Sequence, residues 1–204
     1  MGYYPNFRHE KKLYRQGYQL IAGLDEAGRG SWAGPLVAAA VILDPAQKIK
    51  GLKDSKKITA LQRQEIFKVI TTRALAWAVG VVSQTNIDKI GITRANVTAM
   101  QEAIKNLSCQ PDFILIDSIS IPYRNVPMLS INKADYKIAT VAAASIVAKV
   151  TRDQIMNELD EKYPRYGFKQ HKGYGTNHHL QMLVEHGVSQ IHRRSFQPIK
   201  DLEK

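Results

Sequence analysis

The chain has 204 residues, 44% hydrophobic and 23% charged, which suits one domain whose core needs no covalent staple. Its single cysteine, Cys109, excludes an intramolecular disulfide and a cysteine-rich zinc site. Lys and Arg total 29 against 18 Asp and Glu, a net charge of +11, and such an excess fits a polyanionic partner, most often nucleic acid.

Residues 1–17 are polar and basic and read as a mobile arm or a short helix, ahead of a single domain over residues 18–204. No signal-peptide core opens the chain and no apolar run is long enough to span a bilayer. A cytoplasmic monomer with no membrane partner is expected.

Gln19–Asp25 reads as a strand running into a Gly-rich turn. Leu36–Leu43 is a continuous apolar run closed by Asp44-Pro45, the pattern of a strand buried on both faces. A basic loop follows over residues 49–57, and Thr59 is placed to cap a helix reaching about Ile70. Leu75–Val82 is a further strand and Thr93–Leu107 a helix with Ala95, Ala99, Ala103 and Leu107 along one side. Phe113–Asp117 is a short buried strand that ends in a carboxylate. Ala139–Met156 is a helix of small apolar residues, and Thr176–Glu185 is another helix. This order predicts an α/β fold: a central mixed sheet flanked by helices, with a helical C-terminal segment.

Asp25-Glu26 places two adjacent carboxylates where a strand meets the Gly-rich turn. Alone, the pair reads as a capping Asp beside a solvated Glu. Asp117 at the end of its strand and Asp135 before a helix make three segments that each deliver a carboxylate at an element's edge. Mg²⁺ and Mn²⁺ want such oxygen ligands. Two ions about 4 Å apart would hold the attacking and leaving oxygens of a phosphodiester displacement. Gly28-Arg29-Gly30, with Gly34-Pro35 beyond, reads by itself as a tight turn, or, set beside the carboxylates, as a loop whose backbone groups approach a sugar or phosphate. It lacks the spacing of a dinucleotide-binding turn, and no P-loop or nucleophile elbow occurs.

These strings carry a resemblance. Asp25-Glu26-Ala27-Gly28-Arg29-Gly30 with Gly34-Pro35, then Asp54-Ser55-Lys56, resembles the opening of the type 2 ribonucleases H, the ribonuclease HII family. The likeness continues through Asp117, Lys133-Ala134-Asp135, the run 143–150 with Arg152-Asp153, the run 171–176, and the run 192–198. It spans roughly residues 21–200, in the family's order.

The resemblance implies a ribonuclease H-like fold and a Mg²⁺- or Mn²⁺-dependent endoribonuclease. Such an enzyme hydrolyses the RNA strand of RNA–DNA hybrids, cuts 5′ of ribonucleotides embedded in duplex DNA, and leaves 5′-phosphate ends. It implies that Asp25, Glu26, Asp117 and Asp135 hold the metals and are catalytic, that Gly28, Arg29 and Gly30 bind substrate, and that Tyr174 stacks on a sugar. Two positions depart mildly from the pattern: Ala134 stands where many members have glycine, and Ser118 follows Asp117 where glycine is frequent. The type 3 enzymes differ more, with a large N-terminal domain and a glutamate in place of Asp135.

Lys53, Ser55, Lys56 and Lys149 are candidate phosphate contacts, and Lys149 and Arg152 are placed to pair with carboxylates or phosphates. His171, His178, His179 and His192 match no zinc spacing and read as hydrogen-bonding or solvated groups. Trp32 and Trp77 read as packing residues, Trp32 close to the glycine loop. No clamp-binding motif is evident after Phe196. The rival of another class is a non-catalytic RNA–DNA hybrid-binding module, which would lack one or more of the carboxylates.

Overall fold

An eight-residue apolar run can bury every side chain only inside a sheet with both faces covered, and residues 36–43 do so. β2 (Leu36–Leu43) is buried at every position. In the computed structural model, which describes residues 4–47, 49–52, 58–117 and 119–202, β2 lies between β1 (Ile21–Ala27) and β3 (Ala74–Val82). Both pairings are antiparallel. On the other side of β1, β4 (Phe113–Asp117) and β5 (Met128–Ile131) run parallel. The mixed sheet has the order β3-β2-β1-β4-β5.

Helices cover both faces. The Ala-rich side of α4 (Ile92–Lys105) packs on Ala22, Leu24, Ala38 and Ala40. Ala143, Ala144 and Val147 of α5 (Ala139–Lys162) pack on Ala39 and Val41 from the opposite face. The approach of α5 is close because residue 23 is glycine: a Cβ there would stand 2.2 Å from the carbonyl carbon of Thr140. α2 (Ala60–Arg73) begins at Thr59, whose side chain accepts from the Gln62 N–H in a capping box. The C-terminal segment folds as α6 (Phe168–His171), α7 (Asn177–His186) and α8 (Ile199–Leu202) around Met156 and Phe168. Among the described residues no helix is long and apolar enough to cross a membrane.

Several elements differ from expectation. β1 continues to Ala27, so Asp25 and Glu26 lie within the strand, opposite Ala39 and Ala38, rather than at its end. The strand is held there by the long β2 ladder, which the Gly-rich turn does not interrupt. α3 (Gln84–Ile90) and β5 were not foreseen, being too short for a periodicity to register. α5 runs to Lys162, past the apolar stretch that announced it, because its polar end packs against the C-terminal segment.

Residues 8–15 form α1, and this helix is tied to the domain. α5 has no side-chain cap of its own at Ile138. Glu10 of α1 reaches in instead, fully buried, and its Oε1 accepts from the Thr140 N–H at 3.0 Å and hydroxyl at 3.1 Å. A carboxylate from elsewhere in the chain thus satisfies donors that a helix start leaves open. Burial raises the pKa of Glu10 above its ordinary value, and these same hydrogen bonds counter the rise. Glu10→Ala should strand the donors and cost about 1–3 kcal/mol, read as a fall of roughly 2–12 °C in thermal unfolding. Glu10→Gln, which keeps an acceptor oxygen, should lose much less. Equal melting of the alanine variant and the parent would show that the cap contributes nothing.

Candidate active site

Successive residues of a strand face opposite sides of the sheet. Asp25 faces α5, where the Ser145 side chain hydrogen-bonds its carboxyl. Glu26 faces the other way, on the side of Leu24 and α4. Ile116 of β4 lies opposite Leu24 of β1, so Asp117 comes level with Asp25. The Asp117 Oδ1 accepts from the Ala134 N–H at 3.2 Å. That bond anchors the 3-10 turn Ala134–Tyr136, which carries the buried Asp135. The four carboxylates line one cleft of about 470 Å³ together with Gly28, Arg29, Gly30, Ser145, Lys149 and Tyr174.

Like charges so placed repel one another. Burial, and after it the neighbouring Glu26, push the Asp25 carboxyl well above the ordinary carboxylate range; Asp135 adds to the rise and the Ser145 hydrogen bond opposes it. A bound cation would relieve that repulsion. The donors are all oxygen, with no sulfur or imidazole in the cleft lining, so the set fits a hard divalent ion. Among the described residues no three His, Cys, Asp or Glu side chains stand as a ready-made ion cage.

The wall of the cleft is the loop after β1. Its glycines act differently. Gly28 has φ +90°, and a Cβ there would meet the Arg152 guanidinium Nε at 2.0 Å. Gly30 has nothing within 4 Å of its Cβ position and stands exposed at the rim with Arg29. Arg152 was expected beside carboxylates or phosphates. Instead it is fully buried and donates to three backbone carbonyls, those of Pro35 at 3.0 Å, Lys172 at 2.9 Å and Ala33 at 3.2 Å. Carbonyls withdrawn from water need donors, and a buried guanidinium supplies them here.

Arg193, which sequence reasoning did not single out, does the same. It is fully buried and donates to the carbonyls of Gly34 at 3.0 Å and Arg29 at 3.1 Å. Burial, followed by repulsion from Arg152, lowers its pKa to about 9, so it is charged at neutral pH. Asp88 of α3 then fixes the neighbouring turn by accepting from the Arg194 N–H, the Ser195 N–H and the Ser195 hydroxyl. The usable signal was the His-Arg-Arg-Ser-Phe string itself, unusual in composition yet without an assigned task.

Tyr174 sits in the turn between α6 and α7, at the opposite wall. The Lys149 ammonium lies 5.2 Å and the Arg152 guanidinium 5.1 Å from its ring centre. Lys149 also pairs with Asp153 at 2.8 Å. Trp32 packs beneath the turn, where a Cβ on Gly175 would strike its ring at 2.3 Å. Lys53, Ser55 and Lys56, like Ser118, lie outside the described residues.

A mixed five-stranded sheet with carboxylates gathered at one end of its central strands belongs to the class of ribonuclease H-like nucleases. Ribonuclease H2 from Pyrococcus horikoshii superposes with a TM-score of 0.77 at 28% identity, over 91% of this chain and 97% of that one. The family model for ribonuclease HII matches residues 22–199. A ribonuclease HII of Acetivibrio thermocellus is 50% identical over 188 residues, 92% of this chain and 73% of the relative. One of Bacillus anthracis is 50% identical over 197 residues, 97% of this chain and 76% of the relative. The chain belongs to the ribonuclease HII family and is a ribonuclease H-type hydrolase.

The contrast between the glycines is testable by stability alone. Gly28→Ala should lower the melting temperature clearly, because it strains a positive φ and displaces a buried guanidinium. Gly30→Ala, with open space to fill, should stay within about 0.5 kcal/mol of the parent. If the two variants melt alike, Gly28 is not held by Arg152.

Proposed function

We propose that this chain hydrolyses the RNA strand of RNA–DNA hybrids and cuts duplex DNA on the 5′ side of an embedded ribonucleotide. The observation that carries the reading is the single cleft in which Asp25, Glu26, Asp117 and Asp135 meet Gly28-Arg29-Gly30 and Tyr174. A non-catalytic binding module has no use for four converging carboxylates. The ribonuclease HII relatives support the same reaction.

Asp25, Glu26, Asp117 and Asp135 would hold Mg²⁺ or Mn²⁺. Bound divalent ions would supply an activated water and charge neutralisation at the reacting phosphate. The chain's own residues supply the rest. Ser145 orients the Asp25 carboxyl, and Asp117 holds the turn that presents Asp135. Arg29 and Gly30 stand exposed at the rim, where backbone groups reach a ribose 2′-OH, the group that marks RNA against DNA. Tyr174 offers a ring to the neighbouring sugar, and Lys149 beside it faces the backbone phosphates.

The deciding experiment is cleavage of a DNA duplex carrying one ribonucleotide, with and without Mg²⁺, with the cut mapped. Asp25→Asn or Asp135→Asn should lower turnover by several orders of magnitude, as loss of a metal ligand raises the barrier, while hybrid binding survives in a gel-shift assay. Near-parental turnover in Asp25→Asn would sink the metal reading.

Tyr174→Ala should reduce cleavage at a single embedded ribonucleotide by about 10- to 100-fold, the worth of one good stacking or hydrogen-bonding contact. Cleavage of a continuous RNA–DNA hybrid should fall less. An equal loss on both substrates would refute a role for Tyr174 in reading the ribose–deoxyribose junction.

A further inference from the structure

Behind Tyr174 lies a cluster of imidazoles that the reaction does not consume. His179 is fully buried, His192 nearly so, and His171 stacks on His179 with ring centres 4.3 Å apart and planes 14° from parallel. Burial, foremost, lowers His179 to about 3 and His192 to about 4. At neutral pH each ring is therefore uncharged, with one donor and one acceptor nitrogen.

The partners determine which is which. His192 Nδ1 faces the Ser189 N–H at 2.9 Å and the Ser189 hydroxyl at 2.8 Å. The amide can only donate, so Nδ1 accepts and the proton sits on Nε2. That Nε2 lies 3.0 Å from His179 Nε2. One of the two nitrogens must accept, and it is that of His179, because His179 Nδ1 lies 3.0 Å from the Tyr174 carbonyl, which cannot donate. The chain of hydrogen bonds runs one way: from Ser189 to His192, from His192 to His179, and from His179 to the Tyr174 carbonyl. His171 is fixed independently. Its Nδ1 accepts from the Gly173 N–H at 3.2 Å, and its Nε2 donates to the Tyr166 carbonyl at 2.8 Å.

We propose that His179, locked in its Nδ1–H form by His192, is a positioning residue for Tyr174, holding the residue's backbone so that its ring stands at the cleft. Tyr174 needs such a hold. Its flanking residues are glycines, and its ring is otherwise met by the ammonium of Lys149 and the guanidinium of Arg152. The Tyr174 N–H donates to the His171 backbone carbonyl at 2.9 Å, and the Tyr174 carbonyl accepts from the Thr176 N–H at 2.9 Å beside the His179 ring, which is the one side chain in this set. The inference rests on the reading of Tyr174 given above for its kinetic consequence, and on geometry alone for the hold itself.

The test uses amides as tautomer mimics. Asparagine presents its N–H₂ near the Nδ1 position and glutamine near Nε2. At position 179 the required donor is Nδ1, so His179→Asn should retain more activity than His179→Gln. At position 192 the required donor is Nε2, so the order should reverse, His192→Gln above His192→Asn. The unfavourable variant at each site should lose about tenfold in kcat on a duplex with one ribonucleotide, the worth of one net hydrogen bond. Placed on Tyr174→Ala, His179→Gln should cost little more, since the group it positions is gone. Equal effects of Asn and Gln at both sites, or a full tenfold further loss in the double variant, would overturn the proposal.

A second measurement does not use cleavage and stands if a variant folds poorly. Side-chain ¹⁵N spectra of the parent protein at neutral pH should show the proton on Nδ1 of His179 and on Nε2 of His192. The opposite tautomers, or a charged ring, would overturn the hold even if Tyr174→Ala behaves as expected. Expected tautomers together with full activity in Tyr174→Ala would instead remove the substrate role of Tyr174 and leave the hold supported.

Discussion

The cleft depends on a loop that a single β-bridge, Ala33 to His192, joins to the C-terminal segment. Residues 28–35 leave β1 and must present Arg29 and Gly30 at a fixed height above the carboxylates. Backbone carbonyls withdrawn from water need donors. Arg152 from α5 and Arg193 from the C-terminal segment supply them, bonding the carbonyls of Arg29, Ala33, Gly34 and Pro35 between them. Arg152 also takes the Lys172 carbonyl and so ties this wall of the cleft to the one that bears Tyr174. Two planar forks with fixed donor directions hold four carbonyls where a flexible ammonium would not.

The charges divide by depth. The excess of +11 belongs to the chain as a whole, yet the floor of the cleft is acidic, with Asp25 and Asp135 buried. Arg29 and Lys149 stand at the lining around them. A polyanion approaching such a surface is drawn by the long-range field and meets the carboxylates only at the end. The two signs serve different stages, and no local neutrality is required of the sequence.

The strand and helix pattern was legible where a period could repeat. The eight-residue apolar run became β2, the Thr59 cap began α2, and the Ala-rich stretch became α5, because burial and capping act locally. The four carboxylates singled out in the sequence lie in one cleft: Asp25, Glu26 and Asp117 follow apolar runs, and Asp135 precedes a helix of small residues. What escaped notice was polar and distant. Arg152 looked like a phosphate or carboxylate partner, since nothing along a helix announces that its guanidinium will find three carbonyls from two other segments. Arg193, Asp88 and the His179–His192 pair bond across roughly 13 to 164 positions of sequence, where neither periodicity nor spacing gives a signal. Glu10 bonding Thr140, 130 positions later, at the start of a helix is the same case.

That reach has a temporal consequence. Synthesis runs from N- to C-terminus, so β1 with its carboxylates is made well before residue 193. The carbonyls of Arg29 and Gly34 wait for residue 193 before their donors exist. The central sheet has its strands by residue 131, but the wall that would grip a nucleic acid sets only after residue 193 has been added. A nascent fragment would therefore carry the acidic floor without the grip. Competence to engage a substrate arrives as one late event in synthesis rather than growing strand by strand.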